Sequence, residues 1–124
     1  MELIAELGNG PREVGRARRV LARALRGWGI DGEDAEVAVL LTSELVTNAI
    51  RHGSAPVRLR AGVGHRGLRV EVDDESRGTV TPRHAAPTDV DGRGLHLVES
   101  LSDRWGCRTG NGGKRVWFEL RKIS

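Results

Sequence analysis

The spacing of hydrophobic positions changes several times along the chain, and each change marks an element. Glu2 to Leu7 alternates apolar and polar residues and predicts a short edge strand, closed by Gly8-Asn9-Gly10. Pro11 suits the first turn of a helix, where its missing N–H forgoes no bond. Val14, Ala17, Val20, Leu21, Ala24 and Leu25 then recur at helical spacing to about Gly27, with Trp28-Gly29 as the exit. Between them fall Arg12, Arg16, Arg18, Arg19, Arg23 and Arg26, either a phosphate-tracking stripe or the solvated face of the helix; the interleaved apolar set favours the solvated face. Asp31 is placed to cap a second helix, with Glu33 and Asp34 in its first turn, where carboxylates suit the positive end of the dipole. That helix is expected from about Gly32 to His52, stopped by Gly53 and then Pro56.

From Val57 the period falls to two. Val57, Leu59, Ala61 and Val63 alternate with Arg58, Arg60 and Gly62, Gly64-His65-Arg66-Gly67 reads as a turn, and Leu68, Val70 and Val72 repeat the alternation. Asp74 to Asp91 shows no period and contains Gly78, Pro82 and Pro87, so it predicts a long polar loop, of a length that compact domains use for lids or binding loops. Gly92-Arg93-Gly94 opens a third helix to about Leu101, with Leu95, Val98 and Leu101 on one side. Two closing strands are expected at Asp103 to Thr109 and Lys114 to Lys122, joined through Gly110-Asn111-Gly112-Gly113. The order β-α-α-β-β-loop-α-β-β fits an α+β two-layer sandwich: a mixed, mainly antiparallel sheet covered on one face by helices.

Length and composition narrow the function. The 124 residues suffice for one domain, 1–124, in which roughly two-thirds of the chain surface is buried on folding. The aromatic set of three Trp, one Phe and no Tyr is a poor stacking platform for single-stranded nucleic acid, and +3 is a small net charge, so no direct nucleic-acid partner is expected. The single cysteine, Cys107, excludes an internal disulfide and a cysteine-built zinc site and fits a reducing compartment. With no apolar run long enough for a membrane span and no signal-like N-terminus, a cytoplasmic protein is expected. His52, His65, His84 and His96 show no metal-like pairing with acids.

Three groups of residues carry candidate chemistry. Glu44 and Asn48, four apart in an otherwise apolar helix, share a face; a cation bridging to a phosphate would satisfy both, and a polar stripe facing water is the simpler account. Asp74, at the end of the Leu68 to Val72 strand, can accept a hydrogen bond from an exocyclic amine; an acidic start to a turn is the plainer reading. Strand alternation favours Asp74 over Asp73, since it shares a face with Leu68, Val70 and Val72. Gly92-Arg93-Gly94-Leu95 at a helix start lets a phosphate approach backbone N–H donors, although such glycines are structural as often as not.

Taken in order, these groups resemble the boxes of the Bergerat-fold (GHKL) ATPases, the superfamily of gyrase, the heat-shock chaperone, histidine kinases and MutL. Glu44-Leu45-Val46-Thr47-Asn48-Ala49-Ile50-Arg51-His52-Gly53 looks like the N box, Asp74-Glu75-Ser76-Arg77-Gly78 like the first glycine box and Gly92-Arg93-Gly94-Leu95 like the second. The continuation through Asp103-Arg104-Trp105-Gly106 and Gly113-Lys114-Arg115-Val116-Trp117-Phe118-Glu119-Leu120 is similar to the anti-sigma-factor serine/threonine kinases and related small ATP-binding regulators of actinomycetes. The resemblance covers about Pro11 to Leu120.

It implies a histidine-kinase-like ATPase domain that uses ATP and Mg²⁺. Asn48 would ligate Mg²⁺ and Glu44 would act as catalytic base on a serine hydroxyl or water. Asp74 would read adenine N6 and Gly78 would border the purine. Ser76, Gly92, Arg93, Gly94 and Leu95 would line the nucleotide beneath a Ser76 to Asp91 lid. The implied partners are a sigma factor and an anti-sigma-factor antagonist, with the chain as a homodimer. Two departures from the pattern stand out: Ser76 replaces the usual first glycine, and Arg115 stands where a threonine commonly supports the adenine-reading Asp through water. Both motivate an alternative, a non-catalytic nucleotide-binding or protein-interaction module on the same fold.

Overall fold

The computed structural model describes residues 1–76, 90–110 and 112–121, with residues 90–94 as backbone only. The elements run β1 (Glu2–Leu7), α1 (Arg12–Gly27), α2 (Gly32–His52), β2 (Val57–Gly64), β3 (Gly67–Asp74), α3 (Val90–Leu101), β4 (Arg104–Gly110) and β5 (Gly113–Leu120). Strands are ordered β1-β2-β3-β5-β4, every described pairing is antiparallel, and β1 lies at an edge as its short alternation predicts. The result is the α+β sandwich read from the sequence.

Period two explains the sheet's two faces. Val57, Leu59 and Ala61 of β2, Leu68, Val70 and Val72 of β3, and Val116, Phe118 and Leu120 of β5 are buried on the inner face. Against them lie Ala17, Leu21 and Leu25 of α1, Ala38, Leu41, Leu45, Val46 and Ala49 of α2, and Val98 of α3. Arg12, Arg16, Arg18, Arg19, Arg23 and Arg26 are all exposed, so the basic run is the solvated face of α1.

The other sheet face carries charge instead of helices. Arg69 bonds Glu71 at 2.8 Å and Glu119 at 2.9 Å, while its guanidinium lies 4.1 Å from the Trp117 ring centre. Burial works to lower the Arg69 pKa, but the bonds to Glu71 and Glu119 outweigh it and hold the group above its ordinary value. Trp117 therefore sits on the outer face with its ring across Gly106, whereas Trp105 packs against the core. Cys107 is half-buried on β4, and burial pushes its thiol up.

Several boundaries differ from the expected ones. The turn between β2 and β3 is only His65-Arg66, because Gly64 and Gly67 pair with each other. Asp103 precedes β4, its N–H bonded to the Glu119 carbonyl at 2.9 Å, and β4 continues to Gly110. β5 starts at Gly113 and ends at Leu120; Lys122 lies outside the described residues. Asp31 occupies the N-cap position of α2, but its side chain makes no capping bond. α3 begins at Val90, two residues before Gly92, so Gly92 falls within its first turn and Gly94 just beyond it.

Candidate functional site

The site is built around α2 and the end of β3. Leu41, Leu45, Val46 and Ala49 fix one side of α2 in the core, which leaves Glu44 and Asn48 half-buried, one turn apart. Their polar neighbours are tied to the helix itself: Ser43 Oγ donates to the Leu40 carbonyl at 2.9 Å and Thr47 Oγ1 to the Ser43 carbonyl at 2.7 Å. Glu44 and Asn48 make no side-chain hydrogen bond or ion pair among the described residues, so their oxygens are available to a ligand.

β3 turns Asp74 inward with Leu68, Val70 and Val72, as the alternation requires, and Asp74 is 3% exposed. Its Oδ1 accepts the Ser76 N–H at 2.7 Å. Its Oδ2 is buried without a hydrogen bond, and the Lys114 ammonium stands 3.4 Å away. A buried carboxylate oxygen that has an ion-pair partner but no hydrogen bond keeps acceptor capacity for a further donor.

Two glycines leave the room that Asp74 occupies. A Cβ on Gly53, just past α2, would stand 2.5 Å from the Ala49 carbonyl oxygen and 2.5 Å from both Cγ and Oδ2 of Asp74. Gly113 has φ 115°, and a Cβ there would overlap the Asp74 carbonyl oxygen. The Glu75 N–H donates to the Ser54 carbonyl at 2.8 Å, so the exit of β3 is fastened to the exit of α2. Gly53→Ala is therefore expected to cost about 1–3 kcal/mol of stability by overpacking. Thermal unfolding checks this: the midpoint should fall by roughly 3–10 °C, and an unchanged midpoint would mean that Asp74 moves aside freely.

Asp73 and Arg115 belong to the opposite face. Arg115 grips Asp73 with Nε to Oδ1 at 2.8 Å and Nη2 to Oδ2 at 3.1 Å, and this bond chiefly raises the Arg115 pKa. The residue paired with Asp74 is Lys114, whereas Arg115 pairs with Asp73. This corrects the expectation that Arg115 stands beside the adenine-reading acid: period two carried back from Val116 places Lys114 inward and Arg115 outward. Lys114 is the residue that faces Asp74, and that alternation is the signal that locates it.

Of the other expected site residues, Ser76 lies at the site through its backbone N–H. Leu95 is half-buried against the core. Gly92, Arg93 and Gly94 are placed as α3 backbone without described side chains, and Gly78 and most of the expected Ser76 to Asp91 lid lie outside the described residues. No cluster of three or more His, Cys, Asp or Glu able to hold a metal occurs among the described residues. The amide oxygen of Asn48, open and half-buried, suits a single hard-oxygen ligand to Mg²⁺, an ion that takes its remaining ligands from waters and phosphates.

A helix bearing Glu44 and Asn48 that ends on a buried Asp at the close of a central strand is the arrangement that the resemblance to GHKL ATPases implies. The chain belongs to the histidine kinase-like ATPase domain family, whose model matches residues 8–120. Domains of this family bind ATP, usually with Mg²⁺. Among solved structures, the chain is similar to the RsbU and RsbW domains of Rv1364c from Mycobacterium tuberculosis, with 25% identity and a TM-score of 0.76. That match covers 98% of this chain and 32% of the other, so the chain spans about a third of that protein's length.

It is also similar to the histidine kinase domain of the Erythrobacter litoralis EL346 blue-light activated histidine kinase, at 25% identity and a TM-score of 0.58, over 87% of this chain and 60% of that one. A second structure of the EL346 kinase matches at 26% identity and a TM-score of 0.58, over 89% of this chain and 41% of that one. No curated protein is similar enough in sequence to count as a relative. The family model and the RsbW-containing structure agree with the resemblance to GHKL-type anti-sigma-factor kinase-like proteins. Among the described residues, no helix is long and apolar enough to cross a membrane.

Proposed function

We propose that this chain binds ATP with Mg²⁺ and transfers the γ-phosphoryl group to a serine or threonine of an anti-sigma-factor antagonist. In this reading it also sequesters a sigma factor, acts as a homodimer in the cytoplasm, and devotes residues 1–124 to a single domain. The observation that carries the proposal is the contact between the end of α2 and Asp74. One helix joins the base-reading end to the phosphate end, with Glu44 about 14 Å from Gly53 along the axis at 1.5 Å per residue. That is the scale of a nucleoside triphosphate laid along the helix.

Each residue then has a task. The Oδ2 of Asp74, which accepts no hydrogen bond from the protein, accepts the exocyclic N–H of adenine, while the Ser76 N–H orients the carboxylate through Oδ1 and Gly53 leaves room for it. Asn48 offers its amide oxygen to Mg²⁺, which, when bound, neutralises charge on the phosphates as the transfer proceeds. Glu44 takes the proton from the partner's hydroxyl; that oxygen forms a bond to the γ-phosphorus, the bond to the β-phosphate bridging oxygen breaks, and ADP leaves with the electron pair. Gly92, in the first turn of α3, leaves backbone N–H donors of that turn open to the phosphates, Gly94 one residue past that turn keeps their approach free of a side chain, Arg93 and Leu95 stand beside them, and Gly78 is assigned to the purine.

The supporting measurement is calorimetry with ATP. Binding is expected to strengthen when Mg²⁺ is added, and Asn48→Ala should remove that gain while ADP without metal binds the variant and the parent alike. Equal, weak binding in every arm would remove the ATP reading and leave a protein-interaction module on this fold.

A further inference from the structure

The base-reading end of the site contains a second ionised group. Lys114 is 5% exposed, faces inward from β5, and sets its ammonium 3.4 Å from Asp74 Oδ2, an oxygen that no hydrogen bond satisfies. The two are paired across β3 and β5 at the last rung of that ladder, so backbone register fixes their neighbourhood. Asp74 is fixed through its Oδ1 by the Ser76 N–H, and Gly53 leaves its carboxylate room on the α2 side.

The pair is an acceptor beside a donor. An ionised carboxylate only accepts and an ammonium only donates, with three N–H bonds to place. The edge that complements both carries a donor next to an acceptor, and adenine offers this as N6–H beside N1. Guanine presents the opposite order, O6 beside N1–H. We propose that Lys114 is a specificity-determining residue of the nucleotide site, its ammonium donating directly to N1 of adenine while Asp74 Oδ2 accepts from N6. This rests on the ATP reading above and adds to it a direct protein contact to the ring nitrogen.

The test compares ATP with 1-deaza-ATP, in which a C–H replaces N1, by calorimetry on the full chain and on Lys114→Met. A hydrogen bond to a charged group sets the scale, so loss of the N1 acceptor should weaken binding to the parent protein by roughly 10- to 100-fold. In Lys114→Met the two nucleotides should bind within about twofold of each other, the signature of a coupled pair removed on one side. Lys114→Gln, which keeps a donor, should restore a preference for ATP.

The comparison on the parent protein needs no variant, and melting curves show whether Lys114→Met folds. An equal penalty in parent and variant, no penalty in the parent, or tighter binding of GTP than of ATP would each overturn the role of Lys114 while leaving ATP binding intact. Failure of the parent to bind any of the nucleotides would overturn this inference together with the reading on which it rests.

Discussion

Glu44→Gln is expected to slow phosphoryl transfer to the partner serine or threonine by about 10²- to 10⁴-fold, the contribution of a positioned general base. The amide keeps the size of the side chain and loses only the capacity to take a proton. Glu44 is half-buried and makes no bond to a described residue, so the change removes no structural contact, and the melting temperature should stay the same. Affinity for ATP should change by no more than about threefold, since the loss is confined to the transition state. Transfer from γ-labelled ATP, measured beside ATP affinity, separates the possibilities. Undiminished transfer would show that another group takes the proton, and loss of affinity in step with rate would make Glu44 a binding residue.

A similarly large effect is expected at Asp74, set against its neighbour. Asp74→Asn exchanges a charge-assisted acceptor for a neutral amide and should weaken ATP binding by roughly 10- to 150-fold. Asp73→Asn removes a carboxylate just as close in sequence, yet it breaks only a bond to Arg115 on the opposite, partly solvated face. Such pairs contribute at most about 1 kcal/mol, so ATP affinity should not move. The two variants change the same charge on the same strand, and alternation alone separates them. Equal losses in both would mean that net charge, and not a directed hydrogen bond, governs binding.

Much of this molecule is legible in its sequence because most of its elements bury one face only. Such elements announce themselves by period, and α2 runs from Gly32 to His52 as its apolar stretch and flanking glycines indicate. Asp74 is legible for the same reason, as the next inward position after Leu68, Val70 and Val72. Positions set by pairing between distant strands are harder to read. The resemblance puts Arg115 beside the adenine-reading acid, whereas the β3–β5 register pairs Asp74 with Lys114 and Arg115 with Asp73. Trp117 follows the same logic: a large apolar residue in a closing strand suggests core, but its odd position turns it outward, where Arg69 and Arg104 lie at 4.1 and 5.9 Å from its ring. Glycines punctuate helices and so point to Gly92 as the start of α3, but the helix takes in Val90 and Asp91. The closeness of Gly53 to Asp74 joins the ends of two elements and leaves no periodic trace.

The strict alternation of β3 divides its residues between two duties. Leu68, Val70, Val72 and Asp74 answer to the core and the base-reading end, and Arg69, Glu71 and Asp73 answer to the open sheet face. Substitutions at the second set reach the first only through the backbone, so the charge pattern that a neighbouring molecule meets on that face can be rewritten while the chemistry beneath it is left alone. Selection, or a designer, has in this strand two nearly independent alphabets written on one ribbon.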